Sequence, residues 1–135
     1  MLLTLLLAFA MQTAPAAPRT IEKGDQSNIE DATQKVIQTE AEWSALWRRH
    51  APDRPMPKID FAREMVIGVF MGSRSNAGFS TEVISAVVVK GVLVAQYRET
   101  VPARGAITAQ ILTFPYHLVA IPKAPVTETK FDKVP

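Results

Sequence analysis

The sequence predicts an α+β protein that is mostly β: an antiparallel sheet curled into a small barrel or sandwich, with one covering helix. About six to eight short runs favour an extended backbone and are separated by turns that contain glycine or proline. Only one run combines helical spacing of apolar residues with a helix-start signal. The chain has 135 residues, 47% of them hydrophobic, which is enough for one domain with a real core.

The stretch 64–90 is predicted to form the centre of the sheet. Residues 65–71 are apolar at nearly every position, which is typical of a strand buried on both faces. Residues 81–89 are rich in β-branched side chains and are also apolar on both faces. Residues 72–78 (GSRSNAG) supply turn formers between these runs. We therefore expect the two runs to pair as a hairpin or as adjacent strands.

The helix is predicted just before the middle of the chain. Thr39 and Glu42 have the spacing at which each side chain can satisfy a free backbone N–H at a helix start. Trp43, Leu46 and Trp47 then form one apolar stripe. This stripe is predicted to clamp the helix onto the sheet; the alternative is that the two indoles stack on a sugar or a base.

The remaining strands are short. The sequence Lys90-Gly91 indicates a tight turn, so the strand after it is predicted to run antiparallel to 81–89. The other predicted strands, two of them edge strands near the chain ends, cover residues 19–22, 34–38, 92–99, 107–114, 116–121 and 126–131.

The start of the chain indicates export. Residues 1–10 are uncharged and leucine-rich, yet far shorter than the ~20 residues of a spanning helix. The sequence Ala-Pro-Ala at 14–16 offers a cleavage site. We expect a signal peptide at 1–16, a single domain at 17–135, an extracytoplasmic location and no stable membrane anchor after cleavage. The alternative is a buried or wrongly assigned N-terminus.

Composition excludes several functions. The 15 basic and 13 acidic residues are scattered, so a nucleic-acid partner is not expected. The absence of cysteine excludes disulfides, cysteine nucleophiles and thiolate metal sites. His50 and His117 lie in unlike contexts without a zinc-ligand spacing, and no nucleotide-binding or nucleophile-elbow motif occurs. We predict no metal, no cofactor and no catalytic residue.

The loop within 64–90 is the best candidate site. It carries a guanidinium, an aromatic ring and glycines that can expose backbone N–H groups to a partner. We expect it to project from the core, with Arg74 at its tip. The predicted partner-binding residues are Gly72, Ser73, Arg74, Asn76, Gly78 and Phe79.

A family resemblance supports this choice. The motifs P-x-I-D-F (57–61), M-G-S-R (71–74), G-F-S (78–80) and T-F-P-Y-H-L-V (113–119) follow the order seen in the C-terminal domain family of the protease complex subunit PrcB. The chain resembles that family best over 57–123. Ala77-Gly78-Phe79 stands where the family carries Gly-Gly-Tyr.

The resemblance implies an exported, non-catalytic interaction domain with a protein partner, such as an accessory or assembly subunit of an extracytoplasmic protease. One alternative is a direct protease inhibitor whose loop plugs an active site. The other is a small hydrolase or ligand-binding protein that uses Ser73 or Ser80 with His117.

Overall fold

The computed structural model describes residues 18–135, which form seven strands and one helix. The predicted signal peptide, 1–16, lies outside the described residues. The elements, in chain order, are β1 (Arg19–Gly24), β2 (Thr33–Ile37), α1 (Glu40–His50), β3 (Glu64–Phe70), β4 (Ser80–Val89), β5 (Val92–Thr100), β6 (Tyr116–Pro122) and β7 (Glu128–Val134).

The strands form two facing sheets, and α1 covers the first of them. The first sheet has the order β1-β6-β3-β2 and is antiparallel throughout. The second has the order β4-β5-β7. The predicted α+β, mostly β class with one covering helix is confirmed. The described strands make a sandwich of two separate sheets and no closed barrel.

One pair of strands departs from the antiparallel prediction, because β5 and β7 run parallel. The chain leaves β6 at Pro122 and enters β7 at Glu128, whose partner is Val92, the first residue of β5. The connection therefore crosses to the second sheet at the end where β5 begins, and the last strand must follow the direction of β5. The tail is an edge strand, as predicted.

β3 is buried on both faces, as its composition predicts. Met65, Ile67 and Val69 point towards the second sheet, whereas Val66 and Phe70 point towards α1. The alternation follows from the two-residue period of a strand. β6 has the same double burial, and the two strands are paired along their whole length.

The helix forms as predicted. Thr39 caps it: its Oγ1 accepts from the Glu42 N–H at 3.2 Å and donates to the Glu42 carboxylate at 3.1 Å. Trp43 and Trp47 are buried against the first sheet. Their indole N–H groups donate to the carbonyls of Pro57 and Arg54, each at 2.9 Å. The tryptophans therefore belong to the core and offer no open stacking platform.

The predicted pairing of β3 with β4 is wrong. Both edges of β3 are already paired, one with β2 and the other with β6, so no edge is left for a hairpin partner. β4 instead lies at the edge of the second sheet and is only partly buried. Its antiparallel pairing with β5 through the turn at Lys90 and Gly91 is confirmed; both turn residues have positive φ, 51° and 79°.

The predicted strand at 107–114 is also wrong. Only its last two residues make bridges, Thr113 with Arg74 and Phe114 with Gln26, and these bridges are isolated. The rest of the segment lies in a long connection between β5 and β6.

His117 joins the two sheets. Its Nδ1 accepts from the Val83 N–H at 2.9 Å, so in the neutral ring Nε2 carries the proton and donates to Thr20 Oγ1 at 2.9 Å. Val83 lies at a register shift in β4, which frees its N–H from the ladder. Burial, and to a lesser extent Lys23, lowers the pKa of His117 to about 4, while Glu82 opposes the shift.

This bond predicts a pH-dependent stability. Unfolded histidine has a pKa near 6.5, so protons favour the unfolded chain between that value and about 4. His117 contributes fully above pH 6.5, and its contribution is lost as the pH falls through this window. We expect His117→Asn to lower the free energy of unfolding by about 1–3 kcal/mol at pH 7.5.

The difference between wild type and His117→Asn should narrow below pH 6.5, by up to about 1.4 kcal/mol per pH unit. Urea melts at several pH values measure it. The other buried histidine, His50, is present in both proteins and cancels. A difference that stays constant from pH 7.5 to pH 4 would contradict the assignment.

Candidate partner-binding site

Two loops meet at one end of the sandwich. The first crossing loop, residues 71–79, leads from β3 to β4, and the second crossing loop, residues 101–115, leads from β5 back to β6. Phe70 pairs with Tyr116, and Ser80 pairs with Thr100. Both loops therefore leave the sheets at the same end and pass from one sheet to the other side by side.

Hydrogen bonds tie the two loops together. The backbone N–H of Arg74 donates to the Thr113 carbonyl at 2.8 Å, and the return bond is 2.9 Å. Further along, the Ala77 N–H donates to the Ala109 carbonyl at 2.9 Å. The first crossing loop does not stand alone, because it lies against the second. Arg74 is likewise not at a free tip but at the bridge to Thr113.

Asn76 faces the second loop. Its side-chain Oδ1 accepts from Thr108 Oγ1 at 3.1 Å, and its carbonyl accepts from Thr113 Oγ1 at 3.0 Å. Asn76, which was predicted to bind a partner, thus uses its side-chain oxygen inside the protein. Thr113 is fully buried, so its hydroxyl needs this internal acceptor.

The two predicted glycines set the path of the first crossing loop. Gly72 has φ +80°, and a Cβ there would lie 2.8 Å from the backbone nitrogen of Ala32. Gly78 has φ +108°, and a Cβ there would lie 3.0 Å from Pro102 and Thr108. Both positions require glycine for backbone conformation and for close approach.

Gly72 is buried, whereas the other five predicted residues are wholly or partly exposed. Ser73 is exposed, although its N–H donates to the Glu30 carbonyl at 3.0 Å. Arg74 and Phe79 are partly buried, and the guanidinium carbon lies 5.7 Å from the centroid of the phenyl ring. Arg74 Nη1 also donates to the Ser73 carbonyl at 3.0 Å. The pair therefore places a guanidinium, fixed by these two contacts, beside an aromatic ring at the surface.

Sequence reasoning missed the second crossing loop as part of the site. It carries four exposed aliphatic side chains: Val101 (62% exposed), Ile107 (101%), Ile111 (52%) and Leu112 (58%). The signal was the run Ile-Thr-Ala-Gln-Ile-Leu, but its β-propensity led to a strand inside the sheet, where these side chains would have been covered.

A second missed feature resembles a catalytic triad. Ser27 Oγ lies 2.7 Å from His50 Nδ1, and His50 Nε2 lies 3.0 Å from Glu22 Oε1. Arg54 binds Glu22 with two bonds of 2.6 Å, and the Tyr116 hydroxyl donates to the same carboxylate. These bonds, led by Arg54, lower the pKa of Glu22 to about 2, although partial burial opposes the shift. Burial lowers the pKa of His50 despite the carboxylate.

Burial makes this cluster structural. Ser27 is 2% exposed and His50 is 0% exposed, so no substrate can reach the hydroxyl in this conformation. Ser27 Oγ also accepts from the Ile29 N–H at 3.1 Å. The cluster fixes the turn before β2, whose Glu30 carbonyl in turn receives the N–H of Ser73. Through this hydrogen bond the cluster helps to hold the first crossing loop in place.

The hydrolase candidates do not come together. Both nitrogens of His117 have partners, Thr20 and Val83, and neither Ser73 nor Ser80 is among them. Within 18–135, no group of three or more His, Asp or Glu residues is placed to hold a metal ion. No helix in the same range has both the length and the apolar character needed to cross a membrane.

The segment that contains both crossing loops matches a known protein family. The model of one family, described as PrcB C-terminal, matches residues 65–122. The resemblance to the PrcB C-terminal family is thereby confirmed. The match runs from the start of β3 to the end of β6 and includes both crossing loops. No curated protein and no solved structure matches the chain significantly.

The tight packing at Gly72 predicts a large effect of a small substitution. Gly72→Ala would place a methyl group against backbone at an unfavourable φ, so we expect a loss of roughly 2 kcal/mol or more in the free energy of unfolding. Gly105 is the matched control, since its φ is +81° but no atom lies within 4 Å of a built Cβ. Gly105→Ala should cost about 1 kcal/mol. Equal losses in urea melts would contradict the packing at Gly72.

Proposed function

We propose that this protein is an extracytoplasmic, non-catalytic interaction domain that serves as an accessory or assembly subunit of a protease complex. Its contact with the partner is made by the first crossing loop, through Ser73, Arg74 and Phe79. The observation that carries the proposal is the contact between the Arg74 guanidinium and the Phe79 ring, which lies within the segment that matches the PrcB C-terminal family. Gly72, Asn76 and Gly78 position the pair.

The rigidity of the loop favours binding. It is hydrogen-bonded to Glu30 on one side and to Thr113 and Ala109 on the other. A loop that is already ordered loses little conformational entropy when a partner binds. Arginine and aromatic side chains are also the residue types that most often dominate the binding energy of an interface.

The same geometry favours assembly over direct inhibition. A loop that plugs an active-site cleft must project into it, whereas residues 74–77 lie along the second crossing loop. A broad surface made of two adjacent loops suits a flat contact on the outside of a partner. Catalysis by Ser73 or Ser80 has no support, since His117 is bound to other groups. The extracytoplasmic location is supported by the leucine-rich start and the Ala-Pro-Ala sequence.

The double substitution Arg74→Ala/Phe79→Ala tests the proposal. We expect it to reduce capture of a protease from the native extracytoplasmic fraction at least tenfold, because it removes the charge and the ring together. Capture is measured as caseinolytic activity retained on the immobilised protein, and thermal melts of the variant check folding.

The matched control is Arg48→Ala/Val89→Ala. It likewise removes one cation and one apolar side chain, both of them exposed, from the helix surface and from the far end of β4. It should retain capture. Undiminished capture by the Arg74 and Phe79 variant would refute the proposed contact, and a fall in activity of the captured protease on adding wild-type protein would indicate an inhibitor instead.

A further inference from the structure

β4 is an edge strand whose outer side has no strand partner among residues 18–135. It pairs with β5 on its inner side and is the last strand of the second sheet. Residues 83–89 of β4 (VISAVVV) are uncharged throughout. An edge of this kind offers its main-chain groups to any other extended chain, so proteins normally protect it with charges, with proline or by keeping the strand short.

The other three edge strands of the described structure carry such protection. β1 has three charged residues in six, β7 has four in seven, and β2 is only five residues long and contains Lys35. β4 has a single charge, Glu82, in ten residues. Its register shift protects only the start of the strand, where the Val83 N–H already donates to His117. From residue 84 to residue 89 the edge of β4 has no comparable protection.

The turn that follows β4 determines which main-chain groups face outwards. The turn has two residues, 90 and 91, so Val89 and Val92, which flank it, exchange main-chain hydrogen bonds. These bonds alternate along an antiparallel pair. The N–H and C=O groups of Ala86 and Val88 therefore face away from β5, towards the open edge.

The solvent face of the second sheet beside this edge is apolar. Val87 lies opposite Val94, and Val89 lies opposite Val92, on the face that does not pack on the first sheet. Val89 is 60% exposed, and the other three valines are partly exposed. A strand added along the edge would cover Val87 and Val89 from the side.

The charges at the two ends of this edge favour a second copy of the chain as the occupant. Glu82 and Lys90 are both exposed, and they lie at equal distances along the chain from Ala86. Neither makes an ion pair within residues 18–135. If two β4 strands pair antiparallel with Ala86 opposite its counterpart, Glu82 of each copy lies opposite Lys90 of the other. Only uncharged residues face each other between these two ion pairs.

The neighbouring charges at the Glu82 end do not oppose this pairing. Arg98 lies opposite Glu82 on β5, but its Nε donates at 2.8 Å to a carbonyl beyond β7, on the side of β5 away from β4. Lys23 and Glu82 both act on the charge of His117. Lys23 belongs to the first sheet, however, and facing sheets lie about 10 Å apart, roughly the screening length at physiological salt. The carboxylate directly opposite Lys90 of the second copy therefore dominates the interaction.

At the other end, Lys90 has no acidic competitor on its own edge. Glu64 is bound by Arg19 at 2.8 Å, and Glu128 begins β7, on the side of β5 away from β4. Lys123 donates to a main-chain carbonyl at 2.6 Å. Lys90 therefore keeps its capacity for an ion pair with a second copy.

We propose that the protein forms a symmetric dimer in which residues 84–88 of two β4 strands pair antiparallel about Ala86. The two second sheets then join into one sheet of six strands. Such a pair is self-complementary and closes after two copies, as two-fold interfaces do. One strand pair is a small contact, so the dimer is weak and forms in a concentration-dependent way. The inference rests on β4 and is separate from the proposed contact of the first crossing loop.

Two single charge reversals test the dimer and its register. Glu82→Lys places like charges opposite each other at both ends of the strand pair, and so does Lys90→Glu. Each variant alone should therefore dimerise about tenfold more weakly than wild type. A mixture of the two variants restores opposite charges at both ends, so heterodimers should form with nearly wild-type affinity. Sedimentation velocity at protein concentrations from about 1 to about 500 μM measures the association.

The matched controls are Lys130→Glu and Asp132→Lys, which reverse exposed charges on β7, at the opposite edge of the same sheet. Each control should dimerise as wild type does. Hydrogen exchange gives a second readout, because the amides of Ala86 and Val88 should exchange more slowly in concentrated than in dilute solutions of the wild-type protein. Thermal melts check that all four variants are folded.

Four results would overturn the proposal. The first is a wild-type protein that stays monomeric throughout this concentration range. The second is a dimer that both β4 variants leave intact, because its contact then lies elsewhere. The third is weakening by the single variants without recovery in their mixture, which excludes the antiparallel register about Ala86. The fourth is protection of the Ala86 and Val88 amides only in a captured protease complex, which assigns the edge to that partner and not to a second copy.

Discussion

Burial of β3 and β6 on both faces is the constraint to which the other layers of the protein conform. Each strand carries large apolar side chains at successive positions, so one row of them points to each side of the first sheet. A single covered face would leave the other row in water at about 1.5–3 kcal/mol for each large side chain. The helix with its two tryptophans covers one face, and β4 and β5 cover the other.

This double coverage also determines where the candidate site lies. The chain must cross from the first sheet to the second after β3 and must return before β6. Since β3 and β6 are paired neighbours, as are β4 and β5, the two crossings leave from the same end. They are close enough to exchange main-chain hydrogen bonds. Gly72 lets the first loop pass so close to the neighbouring turn that a Cβ at this position would lie 2.8 Å from the backbone nitrogen of Ala32. The paired loops are thus a consequence of the topology.

Local signals in the sequence predicted the local structure well. The Thr39 cap, the tryptophan stripe, the turn at Lys90 and the doubly buried β3 each depend on residues that are close together in the chain, and each is confirmed. The pairing of β3 with β4 could not be judged in this way, because it depended on β2 and β6 having already taken both edges of β3. The segment 107–114 has strand-forming residues, but no neighbouring strand in the described structure pairs with it beyond two bridges.

The distribution of polar contacts explains why groups without a partner lie on the crossing loops and not in the core. At each joint between layers one histidine uses both ring nitrogens: His50 binds Ser27 and Glu22 under the helix, and His117 binds Thr20 and Val83 between the sheets. No buried side-chain nitrogen or oxygen in the described part of the chain lacks a hydrogen-bond partner. Side chains satisfied in this way stabilise the fold and have no free group to offer a ligand. Exposed aliphatic side chains and backbone N–H groups without a partner in the described residues occur together on the second crossing loop.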